Sequence, residues 1–233
     1  MKKYRTGNLV LLSLCLMITA LSCRKNSNDS GIAEIDNGVM SIAFSSRTGS
    51  LVSFMDISGS WEWLDPNVSS GFPWEIEFTE AAGGETINAG DAGKFRCSKP
   101  DSRTLILKWK KFGNPGIRKL EVEARICLDS SRALSYWDIT VRNPGRKEIR
   151  QLNYPRLSGL REAGEEYLAV PQWMGQITKN PRESLAAGGG SGRYEWTYPG
   201  LSLQCLSLYN PERCGLYLAC NDTLAWIKNF SFT

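Results

Sequence analysis

The stretch from Asn37 to Trp63 reads NGVMSIAFSSRTGSLVSFMDISGSWEW, and its pattern is that of a β-hairpin with one buried face. From Val39 to Phe44 apolar residues alternate roughly with small or polar ones, and Arg47-Thr48-Gly49 supplies a turn. Leu51 to Ile57 then alternates again, completing the period-2 signature of a half-buried strand pair. A second turn at Ser58-Gly59-Ser60 leads into Trp61-Glu62-Trp63.

The segments downstream repeat this pattern. Pro73 to Glu80 (PWEIEFTE) places Trp74, Ile76 and Phe78 on one face and Glu75, Glu77 and Thr79 on the other. Ala81 to Gly93 holds four glycines and reads as a surface loop. Short strands are predicted at Lys94 to Ser98 and at Arg103 to Phe112, where Leu105, Leu107 and Trp109 share a face. Leu120, Val122, Ala124, Ile126 and Leu128 alternate with Glu121, Glu123, Arg125 and Cys127 in the longest regular run of the chain. Its natural partner is Leu134 to Asn143, with Ser135, Trp137, Ile139 and Val141 inward, across a turn at Asp129 to Arg132. Further strands are expected at Glu148 to Tyr154, Tyr167 to Val170, Leu201 to Tyr209 and Cys214 to Cys220. No segment keeps helical periodicity over three turns. The expected fold class is all-β, about a dozen strands in a two-layer antiparallel β-sandwich.

At 233 residues the chain is long enough for one such domain. It is too short for a sandwich plus a (β/α)8 barrel, which alone takes about 250 residues. Histidine is absent, which excludes Ser-His-Asp and Cys-His catalysis, histidine-ligated zinc and any histidine acid or base within the chain. Removing Lys2, Lys3 and Arg5 with an N-terminal signal leaves 25 basic against 24 acidic residues. That balance gives no reason to expect a nucleic-acid partner.

Residues 1–22 have the layout of a secretory signal: a basic start, an apolar run from Leu9 to Leu21, and a small residue, Ser22, before Cys23. Ala20-Leu21-Ser22-Cys23 resembles a bacterial lipobox, in which the cysteine becomes the lipidated first residue; Ala20 stands where that motif usually has Leu. The expectation is an exported protein, lipid-anchored at Cys23 to a bacterial membrane on its periplasmic face or at the cell surface. Residues 23–31 are a polar tether, and residues 32–233 the folded domain. Beyond Cys15 and Cys23 lie five cysteines, Cys97, Cys127, Cys205, Cys214 and Cys220. Strand pairing would allow one bridge between Cys205 and Cys220, but buried reduced thiols are the preferred reading. No CxxC spacing points to a metal, and no cofactor is implied.

Two carboxylates flanking a bond are what a glycosidase uses. Glu75 with Glu77, and Glu121 with Glu123, share strand faces, yet alternating glutamates are also what the wet side of a strand carries. Glu165-Glu166 reads as a polar turn. Gly188 to Gly192 (GGGSG) lacks the Lys-Ser/Thr of a phosphate loop and reads as a flexible loop. Asn67, Asn221 and Asn229 begin glycosylation sequons, which carry little meaning in a bacterial lipoprotein.

The C-terminal third carries the more specific signal. Tyr167 to Pro181 reads YLAVPQWMGQITKNP, and Tyr194 to Asn221 reads YEWTYPGLSLQCLSLYNPERCGLYLACN, followed by Asp222 and Trp226. Together with the opening hairpin these segments resemble the galactose-mutarotase-like N-terminal sandwich of exported glycoside-hydrolase-like proteins, including relatives of endo-α-N-acetylgalactosaminidases. The resemblance covers nearly all of residues 32–233. It implies a supersandwich fold and a role in glycan or polysaccharide degradation, with the catalytic carboxylates on a (β/α)8 barrel that would follow the sandwich and is not in this sequence. No catalytic residue carries over. Aldose mutarotases share the fold but work through histidines, which this chain lacks.

Sugar recognition needs exposed aromatic faces for stacking beside short polar groups for the hydroxyls. Trp173, Trp196, Tyr198, Asn221, Asp222 and Trp226 fit that description, with Trp173 and Trp196 preferred for stacking. The expected function is therefore that of a lipid-anchored, non-catalytic, carbohydrate-associated domain whose partners are a glycan, the membrane and a catalytic barrel. The alternatives are a stand-alone carbohydrate-binding lipoprotein and a carboxylate-based sugar-modifying enzyme.

Overall fold

The computed structural model describes residues 31–68, 71–187 and 192–233. The signal peptide, Cys23 and the tether up to residue 30 lie outside the described residues, as do Ser69 of one sequon and residues 188–191 of the glycine-rich loop.

The opening hairpin forms, with a further strand in front of it, but not with one buried face: Met40 through Phe44 are all buried, so its first strand is covered on both sides where a half-buried alternation was expected. Strands β1 (Ile32–Asp36), β2 (Met40–Ser45), β3 (Leu51–Asp56) and β4 (Trp61–Glu62) make one sheet in sequence order. Asn37 closes the β1–β2 turn: its Oδ1 accepts the N–H groups of Val39 and Met40 at 3.0 and 2.9 Å, the local bonding that a short Asn or Asp side chain supplies. The β2–β3 turn ends at Gly49, whose φ of +73° favours glycine. A Cβ there would also meet the rings of Phe95 and Trp109 at 2.6 Å, so the turn can press directly onto the core.

Next come β5 (Glu75–Phe78), β6 (Thr86–Asn88), β7 (Ala92–Asp101), β8 (Thr104–Phe112), β9 (Glu121–Leu128), β10 (Ser135–Arg142) and β11 (Ile149–Asn153). They form a four-stranded meander, β10-β9-β8-β7, and a three-stranded sheet, β11-β5-β6. The C-terminal part contains β12 (Tyr167–Val170), β13 (Gln176–Lys179), helix α1 (Pro181–Ala187), β14 (Tyr194–Tyr198), β15 (Cys205–Asn210), β16 (Cys214–Ala219) and β17 (Lys228–Phe232). Here the sheet order is β13-β12-β15-β16, with β14 and β17 paired as a ribbon. Every pairing is antiparallel, and the chain is all-β.

Two apolar clusters hold these sheets. The larger draws on the first three sheets and centres on Trp74, Trp109 and Phe112, all at most 2% exposed. The Trp74 and Trp109 rings meet edge to face at 5.6 Å, and Phe44 of β2 lies 5.7 Å from Trp137 of β10. The Trp109 indole donates to the Thr48 carbonyl at 3.2 Å, tying the first hairpin to the meander. The smaller cluster, Leu168, Val170, Trp196, Leu201, Leu206, Leu208 and Phe230, belongs to the C-terminal sheet and ribbon. Trp61 links the two regions, buried beneath the guanidinium groups of Arg161 and Arg213, which lie 4.4 and 5.3 Å from its ring.

Several sequence expectations need correction. Residues 86–88 form a strand inside the predicted glycine-rich loop. Leu201 meets Gln172 only as an isolated bridge, so the predicted strand from Leu201 begins at Cys205. Glu166 is no surface turn residue: it is 2% exposed and held by Arg182 of α1 at 2.6 Å, with the Ala163 N–H donating to it as well. The five described cysteines are free, as preferred, but half-buried where buried thiols were expected. Cys205 pairs across the ladder with Ala219, so its neighbour Cys220 falls one register position away and points to the other face.

Candidate functional site

The strand directions of the C-terminal sheet bring three loops to one end. β12 finishes where β15 begins, since Ala169 pairs with Ser207, and β16 finishes beside Cys205. Residues 171–175, 199–204 and 220–227 therefore leave the same edge. Ser202 joins the first two, its N–H donating to the Pro171 carbonyl at 2.8 Å and its hydroxyl to the Trp173 carbonyl at 3.0 Å. Gln204 joins the second to the third: its carbonyl accepts the Cys220 N–H at 2.9 Å and its side-chain amide donates to the Asp222 carbonyl at 2.8 Å.

These loops display apolar side chains to solvent. Trp173 is 87% exposed and Trp226 68%, and beside them stand Met174, Leu203, Leu224 and Ile227, each more than half exposed. Trp173 and Ala225 hold left-handed backbone, φ +56° and +54°, which costs a non-glycine residue about 1 kcal/mol or more. A monomeric surface rarely gathers large apolar side chains on neighbouring tips, which makes this loop end the candidate site.

Asp222 builds the third loop from within. Its carboxylate accepts the N–H groups of Leu224 and Trp226 at 2.9 and 3.1 Å and the Lys228 ammonium at 2.5 Å. The Lys228 hydrogen bond, with the backbone donors behind it, holds the Asp222 carboxyl below the usual carboxylate range. Lys228 also donates to the Trp226 carbonyl at 2.8 Å and lies 5.4 Å from the Tyr198 ring. Asp222 thus positions Trp226 with its oxygens already occupied, leaving exposed Asn221 as the polar group free to face a ligand.

Of the six residues expected from sequence, five gather at this end: Trp173, Tyr198, Asn221, Asp222 and Trp226. Trp196 does not belong with them. It is 9% exposed, pairs with Phe230 across the ribbon and lies 5.8 Å from Tyr194 inside the smaller cluster. The exposed Glu195 and Thr197 on either side show the alternation that marks it as inward. Met174, Leu203, Leu224 and Ile227 stand at this end too and were missed by sequence reasoning; the available signal was large apolar residues in segments with no strand period.

The carboxylates considered for catalysis are engaged. Glu75 pairs with Arg156 at 2.7 Å, Glu77 with Arg150, Glu121 with Lys110 at 2.5 Å, and Glu123 with Lys108. The Arg150 hydrogen bond draws the Glu77 carboxyl down, and Lys110 does the same for Glu121. Among the described residues no three Cys, Asp or Glu side chains converge as a metal site would need, and no helix is long and apolar enough to cross a membrane. No protein-family model and no curated protein matches the chain.

Proposed function

We propose that the chain is a non-catalytic, carbohydrate-binding β-sandwich domain of the galactose-mutarotase-like kind, lipid-anchored at Cys23 and serving a glycoside-hydrolase-like system. The observation that carries this reading is the pair of exposed indoles, Trp173 and Trp226, on hydrogen-bonded loops beside Asn221. Flat aromatic faces stack on the C–H surfaces of pyranose rings while amides bond their hydroxyls. In support of the two-layer part, the first sheet meets the meander through Phe44 and Trp137, and through Trp109 and Thr48. Four sheets of three or four strands also fit a four-bladed, propeller-like arrangement, and a crystal structure separates the two.

An open loop end covers only part of a sugar, so affinity is expected near about 1 mM. Titration calorimetry with glycans that score on an array should show that Trp173→Ala and Trp226→Ala each weaken binding without lowering the melting temperature. Wild-type affinity in both variants would exclude the site. For the anchor, Cys23→Ala should move the protein from the membrane fraction to the soluble one; unchanged fractionation would exclude lipidation.

A further inference from the structure

The outward face of the β7–β8 hairpin carries a charge pattern that the loop end does not explain. Lys94 stands directly opposite Lys110, and Arg96 directly opposite Lys108. Like charges placed across a ladder destabilise the pair, and here two such pairs occupy consecutive outward rows. On its other side β8 is partly neutralised by β9, where Lys110 pairs with Glu121 at 2.5 Å and Lys108 with Glu123. Four cations thus face two carboxylates, and among the described residues Lys94 and Arg96 have no carboxylate in ion-pair range. The four basic side chains line an open cleft of about 200 Å³. Lysine on an edge strand discourages unwanted strand pairing, and the β8 cations have their glutamates on β9, but neither role needs Lys94 and Arg96 set directly against Lys110 and Lys108.

We infer that this cleft is a second binding site, for an anionic polysaccharide bearing sulfate or carboxylate groups. Its two cation rows are about 7 Å apart, two residues along a strand, so they present charge in separated pairs that suit anionic groups spaced along a sugar chain. No aromatic residue lies among the outward side chains of β7 and β8, which removes the stacking platform that single-stranded nucleic acid uses. The glutamates in each row oppose close approach of a continuous anionic lipid surface. The site shares no residue with the loop end, so the two readings fail separately.

The test is equilibrium binding of the full chain to dextran sulfate, polygalacturonate, neutral dextran, single-stranded DNA and phosphatidylserine-containing vesicles, at about 50 and about 200 mM salt. Binding to either anionic polysaccharide that weakens with salt supports the site, and which of the two binds identifies the anionic group. Lys94→Gln with Arg96→Gln should weaken it about tenfold, while Arg47→Gln with Arg146→Gln, equal in charge but elsewhere on the surface, and Trp173→Ala should leave it unchanged. Equal loss in the Arg47/Arg146 control, equal binding of neutral dextran, or binding confined to DNA or vesicles would overturn the inference.

Discussion

Asn37 uses its whole side chain. While Oδ1 closes its own turn, Nδ2 donates to the carbonyls of Asp129 and Arg132 at 2.8 and 2.9 Å, fastening the first hairpin to the β9–β10 turn. Asn37→Ala strands several backbone groups at once and should cost about 1–3 kcal/mol in a urea melt. Trp109→Ala should cost about 3–5 kcal/mol and Trp173→Ala within about 0.5 kcal/mol, the contrast between a core indole and a displayed one. Asp222 gives the pH-dependent case. Its folded pKa is depressed, so the loop support it provides is present above its unfolded value and is lost as pH falls through the folded one. Amide resonances of Leu224 and Trp226 are expected to shift on acidification below about pH 4, and Asp222→Asn should abolish that titration. The aromatic residues of the loop end were legible in sequence because tryptophans stand out among Gly, Pro and Asp. Trp196 was misplaced because its segment looks equally irregular until its partner strand is known.

Among the elements, those with long alternation were legible and short ones were not. β9 and β10 form and pair over nearly the whole of the predicted spans, with Val122, Ala124 and Ile126 buried in turn. β6, β13 and β17 have three to five residues each, too few for a period to rise above chance. Their pairing is imposed by neighbours: β13 extends β12, and β17 closes on β14 through a single fully inward residue, Phe230. Helix α1 escaped notice for a similar reason, since at seven residues it completes only about two turns. Its hold on the sheet is ionic. Arg182 reaches Glu166 and also donates to the Leu160 carbonyl at 3.1 Å. Arg182 is about a third exposed and can turn to water, so Glu166→Ala should destabilise by about 1–3 kcal/mol, whereas replacing both partners with apolar residues of similar size should recover much of the loss. A double-mutant cycle followed by thermal melting checks this.

At the scale of the molecule, the all-β class followed from the absence of any sustained helical period, but the division into two cores did not. Sequence alternation reports which side of a strand is apolar and is silent on which strands share an interior. The C-terminal cluster holds seven buried residues against twenty-five in the larger one, so it should open at lower free energy. Native-state hydrogen exchange should therefore find amides of β12 and β15 less protected than those of β8 and β9. Uniform protection across both would mean that the clusters open as one. The free thiols turn this into a kinetic measurement on the unaltered chain: Cys97 packs against the larger cluster and Cys220 against the smaller, and burial pushes the Cys97 thiol up, away from the reactive thiolate. Both thiols are half-buried, so each alkylates more slowly the better its cluster covers it, and mass spectrometry of two peptides during one labelling reaction compares the shielding by the two interiors, with no engineered probe.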